Sequence, residues 1–220
     1  MLSYTEENYL KALLMLSFKN EDRPEAGTNE MAAYLGVKPA TATDMLKKLK
    51  EKDLVNYQKY GKILLTELGR KKGMSILRKH RLWETFLYAK LDFSWDEVHE
   101  VAEQLEHIQS EKLVNKLEEF LEFPDFDPHG DPIPKANGDF PIINRVLLSE
   151  IIADENCHVV AVKDTSTIFL QYLEKLNITI GTKIKVLEVI DFDGSLNLQI
   201  ENEEPRSVSM KFAESLFVKR

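Results

Sequence analysis

Apolar residues recur at helical spacing through the first quarter of the chain. Over residues 4–18 this spacing predicts an amphipathic helix, and the polar segment Asn20–Gly27 after it predicts a loop. A short helix, Thr28–Tyr34, is expected next, with Thr28 as its cap and Gly36 closing it. Proline suits the first turn of a helix, so Pro39 should begin a third one over residues 39–52. Two short helices joined by a tight turn predict a helix-turn-helix.

Two strand-like segments follow the predicted helix-turn-helix. Leu54–Gln58 and Lys62–Thr66 are short, and Lys59-Tyr60-Gly61 supplies a turn between them. This pattern is typical of a hairpin, and a hairpin in this position is interpreted as a wing.

Helical spacing then resumes. Thr66 should cap a long helix over Glu67–Lys90, and Ser94–Glu97 has the form of a capping box that opens the next helix. The helical pattern persists to Phe123. Residues 124–141 hold five of the chain's eight prolines and two glycines, which predicts a structured loop or linker without regular secondary structure.

From about residue 150 the pattern changes to alternating β segments. One helix, about Ile168–Leu176, interrupts them, and Asp193-Gly194 is a hairpin signal. A small barrel appended to a helical body is the economical interpretation. The predicted strands are His158–Val162, Lys183–Ile190, Leu196–Ile200 and Ser207–Met210.

Composition narrows the class of protein. The chain has 220 residues, 43% of them hydrophobic, which suffices for two or three small domains. The sequence contains no run of about 18 apolar residues, so no membrane span is predicted. The N-terminus also lacks the pattern of a secretory signal. The single Cys157 cannot form an internal disulfide, so we expect a cytoplasmic protein without a membrane partner.

Charge is distributed unevenly along the chain. The formal net charge is −8, yet residues 1–72 carry 13 Lys/Arg against 10 Asp/Glu. Residues 43–72 alone carry nine basic and four acidic side chains. DNA binding is therefore expected only in the first third of the chain.

Two groups of metal-ligand residue types stand out downstream of the wing. If residues 99–107 are one helix, four of these residues share a face at positions i, i+4, i+7 and i+8. His80 and Glu84 repeat the i, i+4 spacing on the preceding helix. The alternative is a solvated Glu-rich face with His107 in the core. A metal sensor that controls transcription fits this order of parts better. The four residues are His99, Glu103, Glu106 and His107.

The helix over residues 39–52 is the predicted DNA reader. The N-terminal end of this helix should lie near base edges, whereas nearby lysines should contact phosphates. Two copies on a palindrome are expected, with half-sites about 34 Å apart. The residues predicted near the bases are Lys38, Pro39, Ala40, Thr41, Thr43 and Asp44, and the phosphate-contacting lysines are Lys47, Lys48, Lys59 and Lys62.

Enzyme alternatives lack essential residues. His99-Glu100-x-x-Glu103 has no second histidine at i+4, which a zinc-protease helix needs. A di-iron carboxylate site needs Glu-x-x-His on two helices, and no Ser/His/Asp set, P-loop or dinucleotide fingerprint occurs. No catalytic residue and no small organic substrate are therefore predicted.

The order of these parts resembles the diphtheria-toxin-repressor and manganese-transport-regulator family of metal-dependent transcriptional regulators. The resemblance spans nearly the whole chain. It is carried by the winged-helix segment Met31–Leu54, the two ligand-rich segments Arg78–Glu84 and His99–His107, the linker-like Gly130–Pro134, and Tyr172–Gly181, which resembles the start of an SH3-like (FeoA-like) domain.

The resemblance implies a mainly α fold with a small β domain. A winged helix-turn-helix DNA-binding domain would occupy residues 1–72, and a helical dimerisation and metal-binding domain residues 73–141. Residues 142–149 would form a linker, and residues 150–220 an SH3-like β-barrel.

The resemblance also implies two metal sites. The primary site would use Asn8, with Glu7 as the alternative from the same helix, together with Glu103, Glu106 and His107. Asn8 is a neutral oxygen ligand where the family usually has an acid or Met. The second site would use His80, Glu84, His99, Asp127, His129 and Asp164.

The implied function is metal-dependent repression of metal-uptake genes by a homodimer on double-stranded operator DNA. Oxygen and imidazole ligands without sulfur suit Mn²⁺ or Fe²⁺, and Mn²⁺ is preferred here because Glu103 and Asp127 stand where related branches carry Cys. Zn²⁺, Co²⁺ or Ni²⁺ would still substitute in vitro, as the Irving–Williams order requires. An Fe²⁺-responsive repressor is the alternative.

Overall fold

A computed structural model describes residues 2–19, 25–57, 62–142 and 144–220. The chain divides into two compact units. The first comprises Met1–His80, Glu103–Val114 and Pro134–Asp139, and the second comprises the remaining segments. Among the described residues, no helix combines the length and the apolar character needed to cross a membrane.

The first unit contains the predicted winged helix-turn-helix, which the structure confirms. Its sheet has the antiparallel order β1-β3-β2. Its helices are α1 (Tyr4–Lys19), α2 (Thr28–Tyr34) and α3 (Pro39–Glu51), and its strands are β1 (Ala26–Gly27), β2 (Val55–Tyr57) and β3 (Lys62–Leu65).

Two local details of this unit differ from the sequence predictions. Ala26 and Gly27 pair with β3, so the end of the predicted loop Asn20–Gly27 is a strand; residues 20–24 lie outside the described residues. Thr28 is the first helical residue rather than the cap. The cap is Gly27, whose N–H donates to Glu30 Oε2 at 3.2 Å. The wing turn 58–61 also lies outside the described residues.

Helix α3 packs its apolar residues into the core of this unit. Ala42, Leu46 and Leu49 are completely buried, and Met45 is half-buried against the same cluster. Gly36 adopts φ +64° between α2 and α3, a conformation that glycine adopts without steric cost. A Cβ at Gly69 would lie 1.9 Å from the Leu54 carbonyl oxygen, so close packing requires glycine there.

Three helices follow the wing: α4 (Glu67–Leu91), α5 (Val98–Leu105) and α6 (Glu111–Phe120). Thr66 Oγ1 accepts a hydrogen bond from Gly69 N at 3.0 Å, as expected of the cap of α4. The single helix predicted from Ser94 to Phe123 is wrong, because it breaks at residues 106–110. The division between the units falls within α4, α5 and α6.

The C-terminal part of the second unit is rich in strands, as predicted. Its antiparallel sheet has the order β4-β9-β5-β6-β7-β8, and Gly194 turns between β6 and β7 with φ +71°. The strands are β4 (Val146–Leu147), β5 (Asn156–Val162), β6 (Lys183–Val189), β7 (Leu196–Ile200), β8 (Arg206–Val208) and β9 (Leu216–Lys219), and the helices are α7 (Thr167–Lys175) and α8 (Met210–Ala213).

The proline-rich segment 124–141 contains no helix or strand, as predicted. Within it, the backbones of Phe126 and Pro132 form an isolated antiparallel β-bridge. Part of the predicted linker 142–149 does form a strand, because Val146 and Leu147 pair with β9. The three domain boundaries stay a prediction, since the two compact units divide the helical segment 73–141 between them.

Candidate metal centre

Glu106 is the centre of a cluster in the first unit. Its side chain is completely buried, and its Oε2 lies 2.7 Å from His80 Nδ1 and 2.6 Å from Lys11 Nζ. The other oxygen, Oε1, is buried and has no hydrogen-bond partner among the described residues. A buried carboxylate oxygen with no partner is costly, so this atom is available for a cation.

Glu103 extends the cluster toward solvent. Its Oε1 lies 2.8 Å from Lys11 Nζ, and its side chain is 42% exposed. One candidate ligand atom each from His80, Glu103 and Glu106 lies within 4.8 Å of the others. Three donors this close together are what a divalent cation needs.

His107 faces the first helix through Glu7 rather than Asn8. Its Nδ1 lies 2.6 Å from Glu7 Oε2, and its ring stacks on Tyr4 with a centroid separation of 4.4 Å. Gln109 Nε2 donates to Glu7 Oε1 at 2.9 Å. Asn8 Oδ1 is buried, and no described residue hydrogen-bonds to it. Both candidate ligands on α1 therefore have a buried oxygen, and that of Glu7 is paired with His107.

The predicted helical face over residues 99–107 is wrong in one respect. Helix α5 ends at Leu105, where Ile108 N donates to the Leu105 carbonyl. Glu106 and His107 therefore lie in the turn after the helix. Side chains in that turn reach α1 and α4, which the spacing along one helix did not indicate.

A second cation borders the cluster. Lys79 is buried, and its Nζ donates to the Ile108 carbonyl at 3.3 Å. Burial lowers the pKa of Lys79, while the negative charges of Glu7 and Glu106 oppose that change.

Asp127 is the centre of a separate cluster in the second unit. One candidate ligand atom each from Glu84, Asp127 and His129 lies within 4.8 Å of the others, and all three residues are buried. Asp127 Oδ1 accepts hydrogen bonds from the backbone N–H groups of His129 and Asp131, at 2.9 and 3.0 Å. Arg81 Nε lies 3.5 Å from Asp127 Oδ2.

Negative charge is in excess around Asp127. Burial raises the pKa of the Asp127 carboxyl well above its usual value, and the charges of Glu84 and Asp131 raise it further. The guanidinium of Arg81 opposes this shift. A cation held by Asp127 and Glu84 would relieve the same repulsion.

His129 is oriented for ligation. Its Nε2 lies 3.0 Å from the Trp95 carbonyl oxygen. Because a carbonyl only accepts, Nε2 carries a proton, and in the neutral ring Nδ1 then keeps its lone pair. Metal-ligating histidines commonly donate their other ring nitrogen in this way.

The remaining residues predicted for the second site are not part of this group of three. His99 Nδ1 lies 3.1 Å from Glu84 Oε1, and its side chain is 62% exposed. Asp164 accepts a hydrogen bond from Ser166 N at 3.0 Å. His80 lies in the first unit, beside Glu106. Their membership of a second site stays a prediction.

The donors of both clusters fit a divalent transition metal. They are carboxylate, imidazole and amide groups, without thiolate, and this set suits Mn²⁺ or Fe²⁺. Within the described part of the chain, the buried oxygens Asn8 Oδ1 and Glu106 Oε1 accept no hydrogen bond, and a bound cation would give each of them a partner.

The predicted DNA-reading residues form an exposed surface at the start of α3. Thr43 is half-buried, and the other predicted residues that the structure describes are exposed. Lys47 Nζ pairs with Asp44 Oδ1 at 3.0 Å, and Lys62 pairs with Glu25. Lys59 lies outside the described residues. The exposed members are Lys38, Pro39, Ala40, Thr41, Asp44, Lys47, Lys48 and Lys62.

Comparison with known proteins identifies the family. "Iron dependent repressor, N-terminal DNA binding domain" matches residues 1–63, and "Iron dependent repressor, metal binding and dimerisation domain" matches residues 66–135. A "FeoA domain" matches residues 146–220. An uncharacterized HTH-type transcriptional regulator of Methanocaldococcus jannaschii is 36% identical over 121 residues, which are 55% of this chain and 95% of that protein. The chain belongs to the iron-dependent repressor family.

Solved structures of similar proteins agree with this family. A manganese-dependent transcriptional repressor in complex with manganese is 31% identical, with a TM-score of 0.82 over 97% of this chain and 98% of that one. ScaR with bound Cd²⁺ is also 31% identical, with a TM-score of 0.77 over 98% and 99% of the two chains. By contrast, the match to a probable metal transport system membrane protein of Chlamydia trachomatis, 44% identical over 71 residues, covers 32% of this chain and only 16% of that protein.

Family membership confirms the predicted class, a DNA-binding metal-responsive regulator rather than an enzyme. Sequence reasoning missed Lys11, and it did not foresee that His80, which it placed in the second site, lies next to Glu106. A signal for Lys11 existed, because it follows Glu7 by four residues and so shares its face of α1.

Proposed function

We propose that this chain is a manganese-dependent repressor of metal-uptake genes. The observation that carries the proposal is the Glu106 carboxylate, which is completely buried beside His80 and Glu103. One of its oxygens has no hydrogen-bond partner within the residues that the structure describes. This carboxylate belongs to a chain whose residues 1–63 match a DNA-binding family model.

The proposed primary site joins two segments of the first unit. Glu7 and Asn8 lie on α1, which packs into the winged helix-turn-helix, whereas Glu106 and His107 lie in the turn after α5. When bound, a divalent cation would neutralise these carboxylates and cross-link the two segments. Glu7 and His107 already make one such link, at 2.6 Å. A coupling of about 1–3 kcal/mol would change operator affinity roughly 5- to 150-fold.

The proposed reader is the exposed N-terminal end of α3, acting in the cytoplasm on a palindromic operator. Residues 38–44 would contact base edges, and Lys47, Lys48 and Lys62 would contact phosphates. One copy presents few base-edge groups, so two copies should bind half-sites about 34 Å apart.

Exposed apolar residues of the second unit support a homodimer. Four large side chains at the ends of α4 and α6 are between 42% and 60% exposed. The rings of Phe86 and Phe120 lie 6.0 Å apart, so the two helix ends are neighbours within this unit. Clustered exposed apolar side chains are typical of a protein interface. They are Tyr88, Leu91, Phe120 and Phe123.

The donors favour Mn²⁺ as the physiological ion. The residues assigned to the primary site contain no sulfur, and Mn²⁺ suits carboxylate oxygen with imidazole. We assign a second ion to Glu84, Asp127 and His129, with His99 beside Glu84. Zn²⁺, Co²⁺ and Ni²⁺ should still bind in vitro.

An Fe²⁺-responsive repressor of the same architecture is the second candidate. It is favoured by the description of the two matching family models as iron dependent. Anaerobic titration of operator binding with Mn²⁺ and with Fe²⁺ separates the candidates, since the physiological ion should activate at a concentration that the cell contains.

Glu106→Gln tests the primary site. The substitution preserves size but removes the negative charge, so the Mn²⁺ concentration needed for DNA binding should rise roughly 100-fold or more. DNA fragments selected from a random pool by the wild-type protein with Mn²⁺ serve as the operator in mobility-shift titrations.

Glu119→Gln is the matched control for this titration. Glu119 lies on α6, 57% exposed, in an ion pair with Lys116, and its loss should leave the Mn²⁺ response unchanged. If Glu106→Gln responds to Mn²⁺ like the wild type, the site assignment is wrong.

A further inference from the structure

Lys11 brings a positive charge into the proposed primary site. Its Nζ lies 2.8 Å from Glu103 Oε1 and 2.6 Å from Glu106 Oε2, and its side chain is 13% exposed. The ammonium thus bridges two carboxylates, and it does so on the same face of α1 that carries Glu7.

The ammonium and a metal ion would compete for this position. A cation bound to Glu103 and to the Oε1 atom of Glu106 would lie close to the ammonium, because Lys11 contacts the other oxygen of the same Glu106 carboxylate. Like charges at so short a distance repel strongly in a partly buried site. Lysine has a flexible four-carbon stem, so its ammonium can rotate away while α1 stays in place.

Removal of the ammonium would also destabilise the metal-free protein. Glu103 and Glu106 would face each other without this cation in the metal-free protein, and two close carboxylates repel. Lys11 should therefore stabilise the metal-free state and oppose metal binding at the same time.

We propose that Lys11 is a tethered counter-ion that holds Glu103 and Glu106 in the metal-free protein and is displaced when a divalent cation binds. Lys11 thereby sets the metal concentration at which the protein responds. This inference rests on the proposed function, because it requires that the two carboxylates bind a metal.

The test compares two neutral variants, Lys11→Met and Lys11→Gln, with Lys11→Arg, which keeps the charge. Lys116→Met is the matched control, because Lys116 is 66% exposed and pairs with Glu119 at 2.6 Å on α6. Two quantities are measured on the full chain: the Mn²⁺ dissociation constant by equilibrium dialysis, and the thermal midpoint without metal.

We expect both neutral variants to bind Mn²⁺ about tenfold more tightly than the wild type and to melt at a lower temperature without metal. Lys11→Arg and Lys116→Met should match the wild type in both measurements. A merely structural lysine would lower affinity and stability together, so unchanged or weaker Mn²⁺ binding by the neutral variants overturns the inference. If the wild type itself retains no Mn²⁺, the proposed function fails as well.

Discussion

The two candidate metal clusters pair their buried carboxylates in different ways. Around Glu106 the partners are side chains from distant segments, with Lys11 on α1 and His80 on α4. Around Asp127 two of the partners are backbone N–H groups of the next four residues. The first cluster is therefore assembled by tertiary structure, and the second by a local turn.

This difference predicts different behaviour on metal binding. Side-chain partners such as Lys11 can rotate away, so the Glu106 cluster can change when a cation arrives. The Asp127 turn is held by its own backbone, and Val162 N donates to the His129 carbonyl at 2.8 Å. A site preorganised in this way suits an ion that stays bound, whereas the Glu106 cluster suits a sensor.

Loss of the guanidinium beside Asp127 should have the largest effect on stability. Arg81 is 5% exposed, contacts Asp127 and Asp131, and donates to the Pro132 carbonyl. Arg81→Met would leave buried carboxylates without this partner, which should cost about 3–5 kcal/mol. Urea denaturation of the metal-free protein measures this change.

Arg206→Met is the control for this measurement. Arg206 pairs with Glu203 at 2.5 Å on the surface, where its side chain is 39% exposed, and its loss should change stability by less than about 0.5 kcal/mol. Equal effects of the two substitutions would mean that Arg81 does not balance the Asp127 cluster.

A methyl group at Gly130 should disrupt the Asp127 turn by a different route. The residue has φ +82°, and a Cβ would lie 2.0 Å from the Val160 carbonyl oxygen. Because backbone must move to relieve that overlap, Gly130→Ala should destabilise the protein by about 2–4 kcal/mol and weaken metal binding at the second site.

Gly138→Ala is the control that introduces backbone strain without the steric overlap expected in Gly130→Ala. Gly138 has φ +92° but nothing within 4 Å of the position of its Cβ, so its substitution should cost only about 1–2 kcal/mol. Urea midpoints of both variants decide the point. A Gly130→Ala protein no less stable than Gly138→Ala would contradict the preformed turn.

The sequence could predict elements whose evidence is local. Ala42, Leu46 and Leu49 recur at helical spacing, and all three are buried on α3. Pro39 marks the first residue of that helix. By contrast, the end of α5 at Leu105 has no nearby glycine or proline, so the pattern was extended through Glu106 and His107. Strand β9 was missed because no strong turn residue precedes it.

The composition of the Glu106 cluster was less predictable. Spacing identifies neighbours on one helix, but His80 and Glu106 are 26 residues apart and meet only in the tertiary structure. The same holds for Glu7 and His107, which are 100 residues apart. Helical spacing singled out Glu106 and His107, and the resemblance assigned them to the primary site, whereas the partner of each depends on the tertiary structure.

The smallest expected effect concerns the strand that supports the Asp127 turn. Cys157 lies on β5 and is 5% exposed. Burial, with a contribution from the charge of Glu155, raises the pKa of this thiol to about 11. Because the thiolate is the reactive form, the native protein at pH 8 should react with a thiol reagent about a hundredfold more slowly than the urea-unfolded chain.

The raised pKa also predicts how the reaction rate of the Cys157 thiol depends on pH. A raised pKa means less thiolate at every pH below about 11, so the native rate should rise about tenfold per pH unit from 7 to 10. The unfolded chain should level off near pH 8.5, the ordinary value for cysteine. Cys157 is the only cysteine in the sequence, so the reaction reports on this position alone. A native rate that also levels off near pH 8.5 would show that β5 opens before Cys157 reacts. The Asp127 turn, which packs against β5, could not then be more rigid than the Glu106 cluster.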